Sequence, residues 1–311
     1  MPITPTDFIW MDGEMVKWED ATVHVLTHSL HYGVGVFEGV RAYATKDGAA
    51  IFRLQDHIKR LIESAHIYGL EIPFGLEELI EATAEVIRSN RLESAYIRPL
   101  VYLGYGEMGL NPLPCKVNVS ISAWPWGTYL GDDGLANGVK VKVSSWRRHD
   151  PNAMPTAAKA TGMYANSALA KVEAIHAGYD ESILLNPQGY VSECTGENIF
   201  IVKNNVLISP PSSLGGALVG ITQNTVYRLA ADLGYEYREA ALVRTDLYCA
   251  DEAFMTGTAA EVVPIKSVDD RIVGSGKPGD VTQAIQKAYF SLVHGENERY
   301  DDWLTYVNRN V

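Results

Sequence analysis

The sequence predicts a two-domain protein of the α/β (α+β) class, and three features carry that expectation. Strand-like and helix-like segments alternate through the first ~130 residues. Glycine, proline and aspartate then gather from Pro125 to Gly138. Beyond them, hairpin signals outnumber helices. These features place a small N-terminal domain at 1–130, a linker at 131–136 and a larger C-terminal domain at 137–311.

In chain order, Phe8 to Met15 has the pattern of a hairpin that turns at Asp12-Gly13, and Gly33 to Tyr43 is strand-like up to the polar turn Thr45-Lys46-Asp47-Gly48. Leu54 to Tyr68 sets Ile58, Leu61, Ile62 and Ala65 at helical spacing and stops at Gly69. Leu76 to Asn90 repeats that logic. Tyr96 to Tyr102 and Lys116 to Trp124 are β-rich. After the linker, Val139 to Ser145 alternates as a strand does, and Asn166 to Ala177 is a helix closing on Gly178. Two hairpins follow, turning through Asn186-Pro187-Gln188-Gly189 and Lys203-Asn204-Asn205. A helix over Thr222 to Leu233, with threonine as a plain N-cap, and a short strand from Glu252 to Thr256 complete the pattern.

Composition narrows the function. The 311 residues are 47% hydrophobic and 21% charged, within the soluble globular range. No stretch approaches the ~20 apolar residues of a membrane span. Asp7, Asp12, Glu14 and Glu19 interrupt the N-terminus, which argues against a leader pattern, so the chain is expected to stay in the cytoplasm. Three cysteines at wide spacing form neither a disulfide framework nor a zinc ribbon. A net charge of −12 without a basic stripe argues against nucleic acid. An anionic small molecule then needs a local site of backbone N–H groups and a few cations.

Lys159 stands in Pro155-Thr156-Ala157-Ala158-Lys159-Ala160-Thr161-Gly162, where small neighbours leave room for a planar group. A lysine amine attacks an aldehyde only when part of it is neutral, which burial and nearby cations promote. Taken alone, such a lysine is more often a surface residue. Glu193 lies at a strand end before an apolar run, suited to the ring nitrogen of a cofactor, although a solvated turn carboxylate reads the same way. Gly220-Ile221-Thr222 at a helix start offers N–H donors and the positive helix end to a phosphate. Gly257-Thr258-Ala259-Ala260 offers a second such set. His24, His28 and His31 fall in strand and loop with no H-E-x-x-H pattern, so they read as structural and no metal is assigned. Gly33, Gly35 and Gly39 miss the dinucleotide fingerprint by one residue, and no P-loop or G-x-S-x-G occurs.

The order Pro155-Thr156-Ala157-Ala158-Lys159, Tyr164, Glu193-x-x-x-x-Asn198-Ile199-Phe200, Gly220-Ile221-Thr222 and Gly257-Thr258-Ala259 resembles the class IV aminotransferases over nearly the whole chain. Within that class, His31-Tyr32-Gly33, Phe37-Glu38-Gly39, Tyr96-Ile97-Arg98-Pro99, Met108-Gly109-Leu110-Asn111-Pro112 and Trp126-Gly127-Thr128-Tyr129-Leu130 are similar to the branched-chain amino acid aminotransferases. The resemblance implies a fold-type IV enzyme, with a small α/β domain, a larger pseudo-barrel domain and pyridoxal 5′-phosphate in the cleft between them. Dimers, or hexamers built from dimers, are usual in that family. The reaction it implies passes the amino group of L-leucine, L-isoleucine or L-valine to 2-oxoglutarate in two half-reactions.

Carried over by position, Lys159 holds the cofactor as a Schiff base and moves the proton, Glu193 pairs with the pyridine nitrogen, and Tyr164 approaches the phenolic oxygen. Arg60, Gly196, Ile221, Thr222, Gly257 and Thr258 serve the cofactor, chiefly its phosphate. Tyr96, with Thr258 and Ala259, holds the substrate α-carboxylate. Phe37, Trp126, Tyr129 and Tyr164 line an apolar pocket, and Arg98 with Tyr32 takes the glutamate γ-carboxylate. Tyr32, Met108, Gly109 and Leu110 belong to the substrate side, with Tyr32 and Leu110 reaching in from a partner subunit. Val219 and Gln223 replace a commoner proline and arginine, and Cys194 stands where a smaller residue is frequent. D-amino acid aminotransferases, R-selective amine transaminases and aminodeoxychorismate lyases share the fold and the lysine. A non-catalytic metabolite binder is the rival from another class.

Overall fold

The computed structural model describes residues 3–127 and 129–308. Thr128, in the middle of the Trp126 to Leu130 motif, lies outside the described residues. The chain divides into two units. One combines the N-terminal stretch through Trp126 with Ala158–Gly162 and the C-terminal stretch from Leu292, and the other holds Gly127–Ala157 and Met163–Ser291.

The first unit begins with the expected hairpin, β1 (Phe8–Met11) and β2 (Glu14–Lys17). Asp12 (φ 49°) and Gly13 (φ 103°) supply the positive backbone angles that a two-residue turn demands. A short helix follows, α1 (His28–Tyr32), then β3 (Gly35–Phe37), β4 (Val40–Thr45) and β5 (Gly48–Phe52). The single apolar run expected over 33–43 is therefore two strands, parted at Glu38-Gly39. The stretch bearing His24, His28 and His31, expected as strand and loop, contains α1 instead. Five residues are too few for periodicity to separate helix from strand, and Gly33 at φ 68° ends the helix in the left-handed region. The helices α2 (Leu54–Ile67) and α3 (Leu76–Ser89), and the strands β6 (Ala95–Leu103) and β7 (Val117–Trp124), lie within a residue or so of expectation.

These strands form an antiparallel sheet completed by a return of the chain at its far end. Residues 304–306 form its edge, in the order 304–306, β5, β4, β6, β7, β1, β2, with β3 also on β6. Ile51, Leu54, Ile58, Leu61, Leu79, Ile87, Ile97 and Ile121 are fully buried there. Each such side chain contributes roughly 1.5–3 kcal/mol. Ala158–Gly162 lies along β3: Ala160 bridges Val36, and the Phe37 N–H donates to the Lys159 carbonyl at 3.0 Å. Two glycines make this approach possible. A Cβ on Gly33 would sit 3.2 Å from the Gly162 Cα, and one on Gly162 would sit 3.0 Å from the Gly33 carbonyl oxygen.

In the second unit the stretch expected as linker, 131–136, falls within a helix, α4 (Gly131–Asn137), whose Gly134 is buried. Polar and glycine-rich composition marked it as a loop, whereas the first-turn acids Asp132 and Asp133 favour a helix start. Then come β8 (Val139–Arg147), α5 (Tyr164–His176), β9 (Glu181–Leu185), β10 (Val191–Cys194), β11 (Asn198–Lys203) and β12 (Val206–Ser209). α6 (Ser212–Gly215), α7 (Ile221–Asp232), β13 (Glu236–Glu239), α8 (Arg244–Tyr248), β14 (Glu252–Gly257), β15 (Glu261–Val268) and β16 (Arg271–Ile272) follow. The last helix is α9 (Asp280–Val293), and β17 (Leu304–Tyr306) is the returning edge strand of the first sheet. The second sheet runs β10, β9, β8, β15, β14, β11, β12, β13, with β16 on β15, and mixes parallel and antiparallel pairs. Val141, Val143, Ile183, Ile199, Ile201, Met255, Val263 and Ile265 form its core.

Candidate active site

Lys159 is held by its backbone at both ends. Its N–H donates to the Ser64 hydroxyl on α2 at 3.1 Å, while its carbonyl takes the Phe37 N–H. Ala158 and Ala160 beside it are buried, and the Thr161 hydroxyl donates to the Gly33 carbonyl at 2.8 Å. The Lys159 Nζ lies 5.2 Å from the centre of the Phe37 ring. Arg98 covers the same ring at 4.7 Å and the Tyr96 ring at 5.3 Å. Its Nη2 donates to the Tyr96 hydroxyl at 3.1 Å, but its buried Nε has no hydrogen-bond partner among the described residues. Tyr96 stands edge-on to Trp126 at 4.4 Å. Gly39 makes room for that tyrosine, since a Cβ there would lie 2.1 Å from its hydroxyl. Phe37, Tyr96, Arg98, Trp126 and Lys159 thus come together as one aromatic and cationic cluster.

Arg60 joins the first unit through a network that the sequence reading missed. Glu38 is fully buried and accepts from Arg60 Nε at 2.6 Å and Nη2 at 2.9 Å, and from His57 Nδ1 at 2.7 Å. Burial pushes the Glu38 carboxyl up, but the Arg60 charge and His57 outweigh it and hold the group well below the usual carboxylate range. Burial pushes the His57 imidazole down, against the opposing pull of Glu38. The result is a carboxylate, a guanidinium and a neutral imidazole that donates through Nδ1. The H-x-x-R spacing on α2, one helical turn, was the available signal.

Tyr32, Met108 and Leu110 face outward, with Leu110 87% exposed. The Gly109 carbonyl is tied to the His28 ring at 2.8 Å.

In the second unit, Glu193 on β10 pairs with Arg148 at 3.1 Å and accepts the Leu218 N–H at 3.2 Å. Arg148 is buried and also escaped the sequence reading. Its other nitrogens reach the Cys194 carbonyl at 2.8 Å and the Ser167 hydroxyl at 3.1 Å, binding α5 to β10. Tyr164 is the first residue of α5. Glu197 is buried, and burial together with the Glu181 charge pushes its carboxyl up to about 8. Burial also pushes the Cys194 thiol up. Tyr129 lies under the Lys171 ammonium at 5.4 Å.

Three glycine turns meet at one end of this sheet. Antiparallel pairing of β11 with β14 sets Asn198 opposite Thr256. A Cβ on Gly257 would approach the Gly196 carbonyl oxygen to 3.2 Å, and one on Gly220 would overlap the Asn198 side chain at 1.9 Å. Gly220, rather than the expected threonine, is the N-cap of α7, which puts Ile221 and Thr222 in its first turn. Thr258 and Ala259 follow β14 directly.

Comparison with known proteins agrees with these arrangements. The family model described as amino-transferase class IV matches residues 35–268. A branched-chain-amino-acid aminotransferase of Pseudomonas aeruginosa is 54% identical over 96% of this chain and 97% of its own. The crystal structure of the Escherichia coli branched-chain amino acid aminotransferase superposes with a TM-score of 0.95 at 50% identity, covering 97% of this chain and 100% of that one. The branched-chain amino acid aminotransferase from Thermobaculum terrenum, in its PLP-bound holo form, gives 0.92 at 35% identity, with coverages of 98% and 99%. With a lysine anchored at both ends of its backbone and glycine turns gathered at a helix start, the chain belongs to the class IV aminotransferases.

Proposed function

We propose that the protein transfers the amino group of L-leucine, L-isoleucine or L-valine to 2-oxoglutarate, with pyridoxal 5′-phosphate as cofactor. The observation that carries this reading is the Lys159 cluster: one amine over Phe37, beside the half-buried Arg98 guanidinium and two aromatic walls. The chemistry of the residues fits the cofactor. The first turn of α7, with Thr222, suits a phosphate. Gly196 leaves open space that a side chain would enter, while Gly220 and Gly257 let the backbone pack closely against Asn198 and Gly196.

When bound, the cofactor supplies an aldehyde and an electron-withdrawing ring. Lys159 Nζ would hold the cofactor and, when not engaged with it, would take a proton from the substrate α-carbon and return one. Glu193, held by Arg148 and the Leu218 N–H, would face the ring nitrogen. Tyr164 takes the phenolic oxygen. Tyr96, Thr258 and Ala259 hold the α-carboxylate, and Phe37, Trp126 and Tyr129 exclude water around an aliphatic side chain. Arg98 receives the second carboxylate of glutamate. Tyr32, Met108, Gly109 and Leu110 serve the pocket of a second copy of the chain, so the active form is a homodimer or a trimer of dimers. The unpaired thiols of Cys115, Cys194 and Cys249 suit the reducing cytoplasm.

Steady-state rates with L-leucine, D-alanine, an (R)-aryl amine and aminodeoxychorismate test the assignment. L-leucine is expected to lead, and a preference for any of the other three would replace it.

A further inference from the structure

Of the three histidines near the N-terminus, His28 is built most deeply into the fold. It opens α1 and is 1% exposed. Its Nε2 stands 2.8 Å from the Gly109 carbonyl, which can only accept, so Nε2 carries the proton. The bare Nδ1 is then an acceptor, buried without a hydrogen-bond partner among the described residues. The His28 backbone N–H donates to the Gly104 carbonyl at 3.1 Å. Ring and backbone of one residue thereby hold the loop 104–109 at both ends. Two rings extend the clasp: Tyr32 lies 4.6 Å from the His28 ring, and Tyr105 lies 4.2 Å from His24.

Leaving a buried Nδ1 unpaired carries a desolvation cost that an apolar side chain of the same volume would avoid. An imidazole is justified there by the directed Nε2–H. What it directs is a loop of unusual backbone: Gly106 is at φ 136° and Gly109 at φ 111°, with Met108 and Leu110 turned to solvent.

We propose that His28 is a positioning residue, whose bond to the Gly109 carbonyl sets Met108–Leu110 and Tyr32 at a fixed height for closing the substrate pocket of a second copy of the chain. The inference rests on the reading above that these residues serve such a pocket. His28 touches no substrate itself. It acts by removing loop conformations that would otherwise compete with the closed pocket.

The test compares His28→Leu, His28→Asn and His28→Gln in the cofactor-saturated enzyme. A glutamine amide nitrogen falls near the Nε2 position, whereas that of asparagine falls near Nδ1. For a bond of ordinary net strength, KM for L-leucine and 2-oxoglutarate rises about three- to tenfold in His28→Leu and His28→Asn, with kcat changed less than about twofold. His28→Gln stays close to wild type. Hydrogen exchange at amides 105–110 quickens in the first two variants only. An unchanged KM in His28→Leu, or a loss in His28→Gln equal to it, overturns the proposal. If His28→Leu does not fold, the contrast between asparagine and glutamine decides alone, with equal KM values overturning the proposal. Leu110→Ala separates the two levels: an unchanged KM there sinks the pocket reading, whereas a raised KM there with His28→Leu unaffected sinks only the role of His28.

Discussion

Replacing Glu38 by glutamine exchanges one of two acceptor oxygens for an NH2 inside a site whose other members are all donors. Arg60 presents Nε and Nη2, His57 presents Nδ1–H and Gly39 presents its N–H, each within 3.2 Å of the carboxylate. Arg60 is 13% exposed and His57 2%, so water cannot replace the lost oxygen. Breaking a buried pair by neutralising one partner costs about 3–5 kcal/mol, because the remaining charge stays desolvated. For a structural unit of this size, each kcal/mol moves the thermal midpoint by about 2–4 °C. A loss near 3 kcal/mol therefore lowers the midpoint of the cofactor-free protein by roughly 6–12 °C. Circular dichroism melts of Glu38→Gln, Arg60→Met and the double variant give the assay. Strong coupling is expected, with the double variant more stable than the sum of the single losses implies. A midpoint shift below about 2 °C, or strict additivity, would refute the reasoning.

Two pH dependences follow from the second unit. Burial raises the Glu173 carboxyl, but Lys142, Ser144 and Ser145 donate to it and bring it from 4.5 down to about 2. A depressed carboxylate contributes stability that is complete above its unfolded value and vanishes as pH falls through the folded one, so Glu173→Gln should lower stability at neutral pH and change it little near pH 2. Urea melts from pH 2 to 7 measure it, and a constant difference across that range would exclude the cause. Glu197 behaves in the opposite way. Its carboxyl, raised to about 8, makes folding less favourable as pH climbs from 4.5 towards 8. Glu197→Gln should flatten that decline, and an equally steep one would mean that the carboxyl is ionised in the native protein.

The local signals of the sequence carried far. Asp12-Gly13 turns the first hairpin, Gly69 and Gly178 follow the helices they were expected to close, and β8 through β12 fall where strands were expected. Lys159 stood out by its small neighbours, whereas Phe37, Tyr96, Arg98 and Trp126 were legible only through the resemblance to the class IV aminotransferases. What stayed hidden is non-local. Glu38 read as a residue inside a strand, and only its place opposite α2 shows it gripping Arg60. Arg148 was one basic residue of Trp146-Arg147-Arg148-His149, with nothing to tie it to Glu193 on another strand. The pairing of β17 with β5 joins residues far apart in the chain, and Ala158–Gly162 belongs to the first unit although the residues on either side belong to the second. Separations of that kind leave no periodic trace.

The role of Lys159 is tested most directly by borohydride reduction of the cofactor-loaded protein, followed by peptide mapping. Reduction is expected to fix one cofactor per chain on the peptide containing Lys159 and to abolish transamination, while Lys159→Ala is neither labelled nor active. A label on another lysine, or full transamination by Lys159→Ala, would contradict it.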